Sequence, residues 1–259
     1  MRKIDIQNEL NKIYSFVQSA VKNAGYQKVI LGLSGGIDSS LAAALCGNAL
    51  GNQNVIGIMM PYKNSNPLSL QHAKLIANTF KITYEIITIT NMVDAYFDEF
   101  EPEANMLRRG NRMARERMCI LYDLSAKYKA LVVGTSNKSE IYAGYCTQYG
   151  DSACAFEPFA HLYKSEVREI AVMLNIPAEI INKPPTADLW EGQTDEKEMG
   201  ISYPLLDEIL FYLIDEKMEK TEIMKKGFSE EMVDLVLKKI EKSEFKRKLP
   251  LTLELGVGS

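Results

Sequence analysis

A short apolar run that breaks into Ser34-Gly35-Gly36-Ile37-Asp38-Ser39-Ser40 and re-emerges as a helical pattern restricts this chain more than any other feature. Val29 to Leu33 is bounded by glycine and reads as a strand buried on both faces. From Asp38 to Leu50, Leu41, Ala44, Leu45 and Ala49 recur at helical spacing. The turn between them is expected to aim backbone N–H groups and three hydroxyls at one point. A helix N-terminus entered through a glycine turn favours an anion, because its first N–H donors lack partners and its dipole is positive there. The expected guest is a phosphate.

This is not either of the commoner phosphate loops. No Gly-Lys-Ser or Gly-Lys-Thr follows, so the lysine of a Walker loop is missing. The spacing Gly32-Leu-Ser-Gly35-Gly36 also departs from the dinucleotide fingerprint. A Ser-Gly-Gly-x-Asp-Ser turn after a strand resembles the pyrophosphate loop of the ATP-pyrophosphatase superfamily, whose members cut ATP between its α- and β-phosphates and adenylate an oxygen.

The rest of the chain alternates strand and helix. Ile6, Leu10, Ile13, Val17, Ala20 and Ala24 mark an amphipathic helix over residues 4–24. Strands are expected at Val29–Leu33, Asn54–Met60, Tyr84–Ile89 and Ala130–Thr135, with helices to Leu50, over Ser69–Phe80 and at about 111–129. Such alternation predicts an α/β fold, a Rossmann-like parallel sheet with helices on both faces, and a helical C-terminal part from about residue 165 within one domain spanning 1–259. Ligands of these sheets bind at the carboxyl ends of the strands, where Ser34–Ser40 and Thr135 fall. Glu99–Gly110 and Pro184–Gly200 are polar, lack periodicity and read as covers over a site.

Composition excludes several function classes. Apolar residues make up 46% and charged residues 25% of the 259, with a net charge of −4. That acidic balance opposes a nucleic-acid surface. No membrane-length apolar run and no secretory leader is expected. Cys46, Cys119, Cys146 and Cys154 are scattered, as reduced core or site-lining thiols of a cytoplasmic protein would be. With His72 and His161 the only histidines, a metal here should be a hard ion held by oxygen.

Further motifs follow in order: Gly134-Thr-Ser-Asn-Lys-Ser-Glu140, Tyr149-Gly-Asp151, Leu162-Tyr-Lys-Ser165, Pro185-Thr-Ala-Asp-Leu189 and Gly200-Ile-Ser-Tyr203. Together with the loop they span about residues 28–248, and the series resembles ammonia-dependent NAD synthetase, with its adenine nucleotide alpha hydrolase-like fold. The resemblance implies that Gly32, Leu33, Ser34, Gly35, Gly36, Ile37, Asp38 and Ser39 cradle the pyrophosphate of ATP. It implies further ATP contacts from Thr135, Lys164 and Thr186, and a magnesium ion on Asp38 and Glu140. Lys164 suits that role because the loop has no lysine of its own.

Five arginines lie between residues 108 and 117, and Arg115 and Arg117 match the Arg-x-Arg-Met of the family. Arg115 is implied as a contact to deamido-NAD, and a planar guanidinium pairs well with phosphate or carboxylate; Arg117 is read as structural. Asp151 matches a carboxylate near the reacting centre, placed to hold ammonium and take its proton. Asp38, Asp151 and Lys164 are therefore expected to carry the chemistry. Two positions depart from the family pattern: Gln148 replaces a common lysine, and Phe245-Lys246 replaces a common His-Lys, both at positions tied to deamido-NAD.

The implied reaction is amidation of deamido-NAD by ATP and ammonia, through an acyl-adenylate, in a homodimer for which the Ile6–Ala24 stripe is one candidate face. The alternatives are another adenylating ATP-pyrophosphatase acting on tRNA, and a non-catalytic adenine-nucleotide-binding module. The paired Asp38 and Glu140 argue against the second, since a passive binder has no use for a metal pair.

Overall fold

The computed structural model describes residues 2–190, 192–250 and 252–253. Its centre is β1 (Lys28–Gly32), whose interior is buried on both sides. β1 pairs in parallel with β2 (Val55–Met59) on one edge, Val29 opposite Val55, and with β4 (Ala130–Val132) on the other, Ile30 opposite Val132. β3 (Thr83–Ile86) extends the β2 edge, giving the order β3-β2-β1-β4. Successive strand side chains point to opposite faces, and the two cores follow from that alternation. Val29, Leu31, Val55 and Met59 join one cluster with α1 (Ile6–Asn23), α2 (Ile37–Leu50), α3 (Pro67–Thr79) and α7 (Lys164–Met173). Ile30, Ile56, Ile58 and Val132 join another with α4 (Thr90–Phe100) and α5 (Met106–Tyr128).

α1 spends its apolar stripe inside the chain's own core: Leu10, Ile13, Val17 and Val21 are buried, and the helix packs on α2. The stripe is therefore not free to form a dimer face. α2 is buried on nearly every side, as a helix without a polar face must be. After α6 (Lys138–Ala143) the chain is helical: α7, α8 (Ala178–Ile181), α9 (Asp195–Met199), α10 (Tyr203–Leu210), α11 (Lys220–Lys225) and α12 (Glu230–Lys242). Tyr163, Met199, Tyr203, Leu206, Leu210 and Val236 make the core of this part.

The segment expected to be a polar cover at 99–110 is built differently. α4 runs to Phe100, and α5 begins at Met106, capped by the Asn105 side chain on the Arg108 N–H. Arg109 stacks on Phe97 and donates to the carbonyls of Pro102 and Ala104, pinning the link between the two helices. Among the described residues no helix is long and apolar enough to cross a membrane.

Candidate active site

The strand order turns back at β1: β2 and β3 extend one edge, while β4 adds to the other. The crevice at such a switch point takes ligands, and here the loops leaving β1 and β4 meet in it. They wall a cavity of about 710 Å³ lined by Ser34, Asp38, Thr135, Glu140, Lys164 and Thr186 among others.

The first loop is held by its own serines. Ser34 Oγ accepts from the Gly36 N–H at 3.2 Å and lies 3.0 Å from Ser39 Oγ, while Ser40 Oγ donates to the Gly36 carbonyl at 2.7 Å. The three hydroxyls therefore do not converge on the guest: Ser40 is buried and turned back into the helix. What faces the cavity is the N-terminus of α2, whose Gly36 offers no side-chain cap, leaving N–H donors for an anion. Gly35 has φ +77, and a Cβ there would lie 2.1 Å from the Ser69 carbonyl oxygen on α3. Only glycine lets the loop close against that helix. Gly32, Leu33, Ser34, Gly36, Ile37, Asp38 and Ser39 line the cavity; Gly35 is packed behind it.

The second loop enters α6 through a capping box. Asn137 Oδ1 accepts from the Glu140 N–H at 3.0 Å, and Glu140 Oε2 accepts from the Asn137 N–H at 3.4 Å. Fully buried Asn137 then crosses the crevice, its Nδ2 donating to Asp38 Oδ1 at 2.9 Å. Lys164, at the start of α7, reaches the same point: its Nζ donates to Asp38 Oδ2 at 2.5 Å and to Glu140 Oε1 at 2.9 Å. The Tyr203 hydroxyl lies between two acceptors for its one proton, Asp195 Oδ2 at 3.1 Å and Glu140 Oε1 at 3.3 Å.

Charge in this cluster is uneven. Burial works against the Lys164 ammonium, but Asp38 and Glu140 outweigh it and hold Lys164 firmly protonated. Burial raises the Glu140 carboxyl despite Lys164, with the charges of Asp38 and Asp195 adding to the rise. One ammonium shared by two carboxylates leaves the more enclosed one undercompensated.

Among the described residues, the groups at this point able to ligate a metal are the carboxylate oxygens of Asp38 and Glu140. Among the described residues no group of three or more His, Cys, Asp or Glu is arranged to hold a metal by itself. The donor set fits magnesium, which typically takes one or two carboxylates and completes its shell with phosphate oxygens and water. It does not fit a closed zinc site.

Asp207 on α10 supports the lysine from behind. Fully buried, it accepts from Ser139 Oγ, from the Ser165 N–H at 2.9 Å and from Ser165 Oγ at 2.5 Å, and Ser139 Oγ accepts from the Lys164 N–H at 3.0 Å. Neither Asn137 nor Asp207 was expected from the sequence. Asn137 lies inside the Gly134–Glu140 motif, where the Asn-x-x-Glu capping pattern is its signal; Asp207 has none.

The remaining expected residues divide between two places. Asp151 and Lys246 line the main cavity. Asp151 accepts from the Thr147 N–H at 2.8 Å, and the protein packed around its partly open carboxyl raises its pKa against that bond. Lys246 donates to the carbonyls of Gly144 and Cys146 at 2.8 and 2.7 Å, tying the C-terminal segment to the loop before Asp151. Gln148 and Phe245 instead line a separate depression of about 340 Å³. Arg115 is exposed and donates to the Gln148 carbonyl at 3.3 Å. Arg117, two positions on, is the arginine in the cavity wall, with its Nε donating to the Met60 carbonyl at 3.1 Å and burial lowering its pKa to about 10.

Pro184–Trp190 lines the cavity as a strap. Both Asp188 carboxylate oxygens accept from the Asn66 N–H, at 3.1 and 3.2 Å, and Lys183 Nζ donates to Ser69 Oγ at 2.9 Å. Leu189 and Trp190 pack over Gly110 of α5, and Glu191 lies outside the described residues. The thiols are free: Cys46 is buried, Cys146 lines the cavity, and Cys119 is exposed rather than in the core or the site.

The chain is similar to several known proteins. The NH(3)-dependent NAD(+) synthetase of Fusobacterium nucleatum is 50% identical over 98% of this chain and 99% of its own. An NH3-dependent NAD synthetase from Campylobacter jejuni, solved with a nitrate ion, superposes with a TM-score of 0.83 at 37% identity, covering 97% of this chain and all of that one (100%). An NMN synthetase from Francisella tularensis gives a TM-score of 0.87 at 30% identity, over 98% and 100% of the two chains. The parallel sheet with flanking helices is thus the Rossmann-like, adenine nucleotide alpha hydrolase-like fold of NAD synthetases. The NAD synthase family model matches residues 9–250, and the chain belongs to that family.

Proposed function

We propose that this protein amidates deamido-NAD to NAD, using ATP and ammonia and releasing AMP and pyrophosphate. The observation that carries the reading is the meeting of a lysine-free glycine loop with Lys164, Asp38 and Glu140 in one cavity. The loop and the α2 N-terminus hold the β- and γ-phosphates as a leaving group, and Lys164 supplies the cation that the loop lacks. Thr135 and Thr186 complete the ATP contacts. Asp38 and Glu140 would hold magnesium, whose charge would neutralise the departing pyrophosphate.

A nicotinate carboxylate oxygen attacks the α-phosphorus, and the bond to the β-phosphate oxygen breaks. Ammonia then adds to the acyl carbon, and AMP leaves with the former carboxylate oxygen. Asp151 holds ammonium at the cavity and takes its proton, delivering the neutral nucleophile. Lys246 fixes the loop that presents Asp151. The far part of the dinucleotide extends to the outer depression, where Gln148 and Phe245 meet it and Arg115 pairs with its phosphates. Free thiols accord with a cytoplasmic location. With the Leu10, Ile13, Val17 and Val21 stripe of α1 packed in the core, the homodimer is built instead on exposed Met92, Tyr96, Phe100, Met106 and Leu107 of α4 and α5.

Deamido-NAD carrying heavy oxygen in its carboxylate tests the route. Label should appear in AMP and be absent from the inorganic product. Label in orthophosphate, with ADP, would overturn the adenylation. Since one structural neighbour is an NMN synthetase, the acid mononucleotide corresponding to NMN is the competitor to run alongside, and it should be the poorer substrate.

A further inference from the structure

Lys164 stands where a divalent cation is expected. Its Nζ bridges Asp38 Oδ2 and Glu140 Oε1 at 2.5 and 2.9 Å, filling the gap between the two carboxylates assigned to magnesium. The side chain is 2% exposed, and the Tyr203 ring closes over the ammonium with its centroid 4.9 Å from Nζ. Among the described residues no other side-chain cation pairs with either carboxylate.

We propose that Lys164 is an internal counter-cation that occupies the carboxylate pair until nucleotide arrives, and that its transfer to the polyphosphate opens the pair to magnesium. The inference rests on the metal assignment made above. Two carboxylates facing one another at 19% and 15% side-chain exposure are poorly solvated and would repel, so the pair needs a positive charge between them. A divalent ion cannot join an ammonium already seated there without strong repulsion between the two cations. ATP resolves the conflict, because its phosphates give the ammonium a new partner beside a loop with no lysine of its own. The lysine backbone need not move: Lys164 N–H is tied to Ser139 Oγ at 3.0 Å in the first turn of α7, and rotation of the side chain carries Nζ across. Metal and nucleotide binding then become positively coupled, each removing an obstacle to the other.

Mn²⁺ serves as the probe, with free ion counted by electron paramagnetic resonance on the full chain. Without nucleotide the wild type should bind Mn²⁺ weakly. Lys164→Met should bind it at least tenfold more tightly, and adding Asp38→Asn should abolish the gain. The variant leaves its carboxylates uncompensated, so Mg²⁺ alone should raise its Tm while leaving the wild-type Tm unchanged. The wild type provides a second measurement that needs no variant. The protected Lys164 ammonium resonance should persist with Mg²⁺ alone and shift when Mg²⁺ is added with a non-hydrolysable ATP analogue. Equal nucleotide-free Mn²⁺ affinity in wild type and Lys164→Met, or a resonance displaced by Mg²⁺ alone, would refute the counter-cation role and leave the metal site standing. Nucleotide-dependent Mn²⁺ binding that is indifferent to Asp38→Asn would remove the metal assignment itself.

Discussion

Asp207 joins three helices at one buried carboxylate, and its removal should be costly in a way its isostere is not. Its oxygens take the Ser139 hydroxyl of α6 and both the N–H and hydroxyl of Ser165 on α7. Asp207→Ala removes the acceptor of the Ser139 hydroxyl and of the Ser165 N–H and hydroxyl. Hydrogen bonds to a charged group contribute about 1.5–3 kcal/mol, and the vacated space adds to that, so a total of roughly 3–5 kcal/mol is expected. Asp207→Asn keeps one carbonyl oxygen for the N–H. It also removes a charge that burial disfavours, since burial raises the Asp207 pKa. Its net cost should be near 1 kcal/mol. Urea unfolding with a common m-value separates the two variants, and the KM for ATP should rise most in Asp207→Ala, because Ser139 also holds the Lys164 N–H. An alanine variant within 1 kcal/mol of both wild type and Asn, on the scale of a single hydrogen bond, would refute the idea that this carboxylate clamps the helices.

Glu157 packs against Gly134, its Oε2 accepts from the Ser136 N–H at 3.0 Å, and burial pushes its carboxyl up to about 7 from an ordinary 4.5. The folded chain holds this proton where the unfolded chain releases it, so the stabilisation is complete below pH ~4.5 and is lost as pH rises through about 7; Glu157→Gln should flatten the curve of stability against pH by up to ~3 kcal/mol, and parallel curves would contradict the shift. Arg115→Gln should raise the KM for deamido-NAD about tenfold with little change for ATP, whereas Arg117→Gln, in the cavity wall, should raise the KM for ATP; charge-assisted bonds of about 1.5–3 kcal/mol set that scale, and identical profiles would mean that facing the cavity decides nothing. The purified chain should consume ammonium and ignore glutamine, since no cysteine among the described residues pairs with a histidine, and efficient glutamine use would defeat that expectation.

The loop after β1 was legible because its chemistry is local: a strand, a glycine turn and a helix start all lie within a dozen residues. β1, β2 and β4 are legible for the same reason, each being a compact apolar run, whereas β3 is a more exposed Thr-Tyr-Glu-Ile strand that ends at Ile86, short of the expected Ile89. α4 was missed although Val93 and Phe97 lie four apart and are buried, because polar residues surround them and the link to α5 is short. The two arginines show a different limit. Positions two apart on a helix point to widely different sides, so the motif located both while nothing in it said which one turns inward. Asp207 and Asn137 mark the hardest case. A buried polar residue makes sense only with its partner, and Ser139 lies 68 residues before Asp207, as Asp38 lies 99 before Asn137.

The topology explains why such distant pairs meet at all. Placing β4 on the free edge of β1 sets two loop ends side by side, and each enters a helix at once. Asp38 rides on the first turn of α2 and Glu140 on the first turn of α6, so their separation is set by backbone, not by flexible side chains. Asn137 then ties one carboxylate to the other's capping box, which removes the remaining freedom between the loops. Lys164 comes from a third helix start, braced by Ser139 and thus by Asp207. Three helix starts border one crevice, and the uncapped N-terminus of α2 brings positive dipole where a polyphosphate would lie, while the carboxylates set beside it prevent that field from being simply cationic. An anion alone would meet Asp38 and Glu140 as repulsive groups, and a metal alone would meet Lys164. The crevice is matched to the two together.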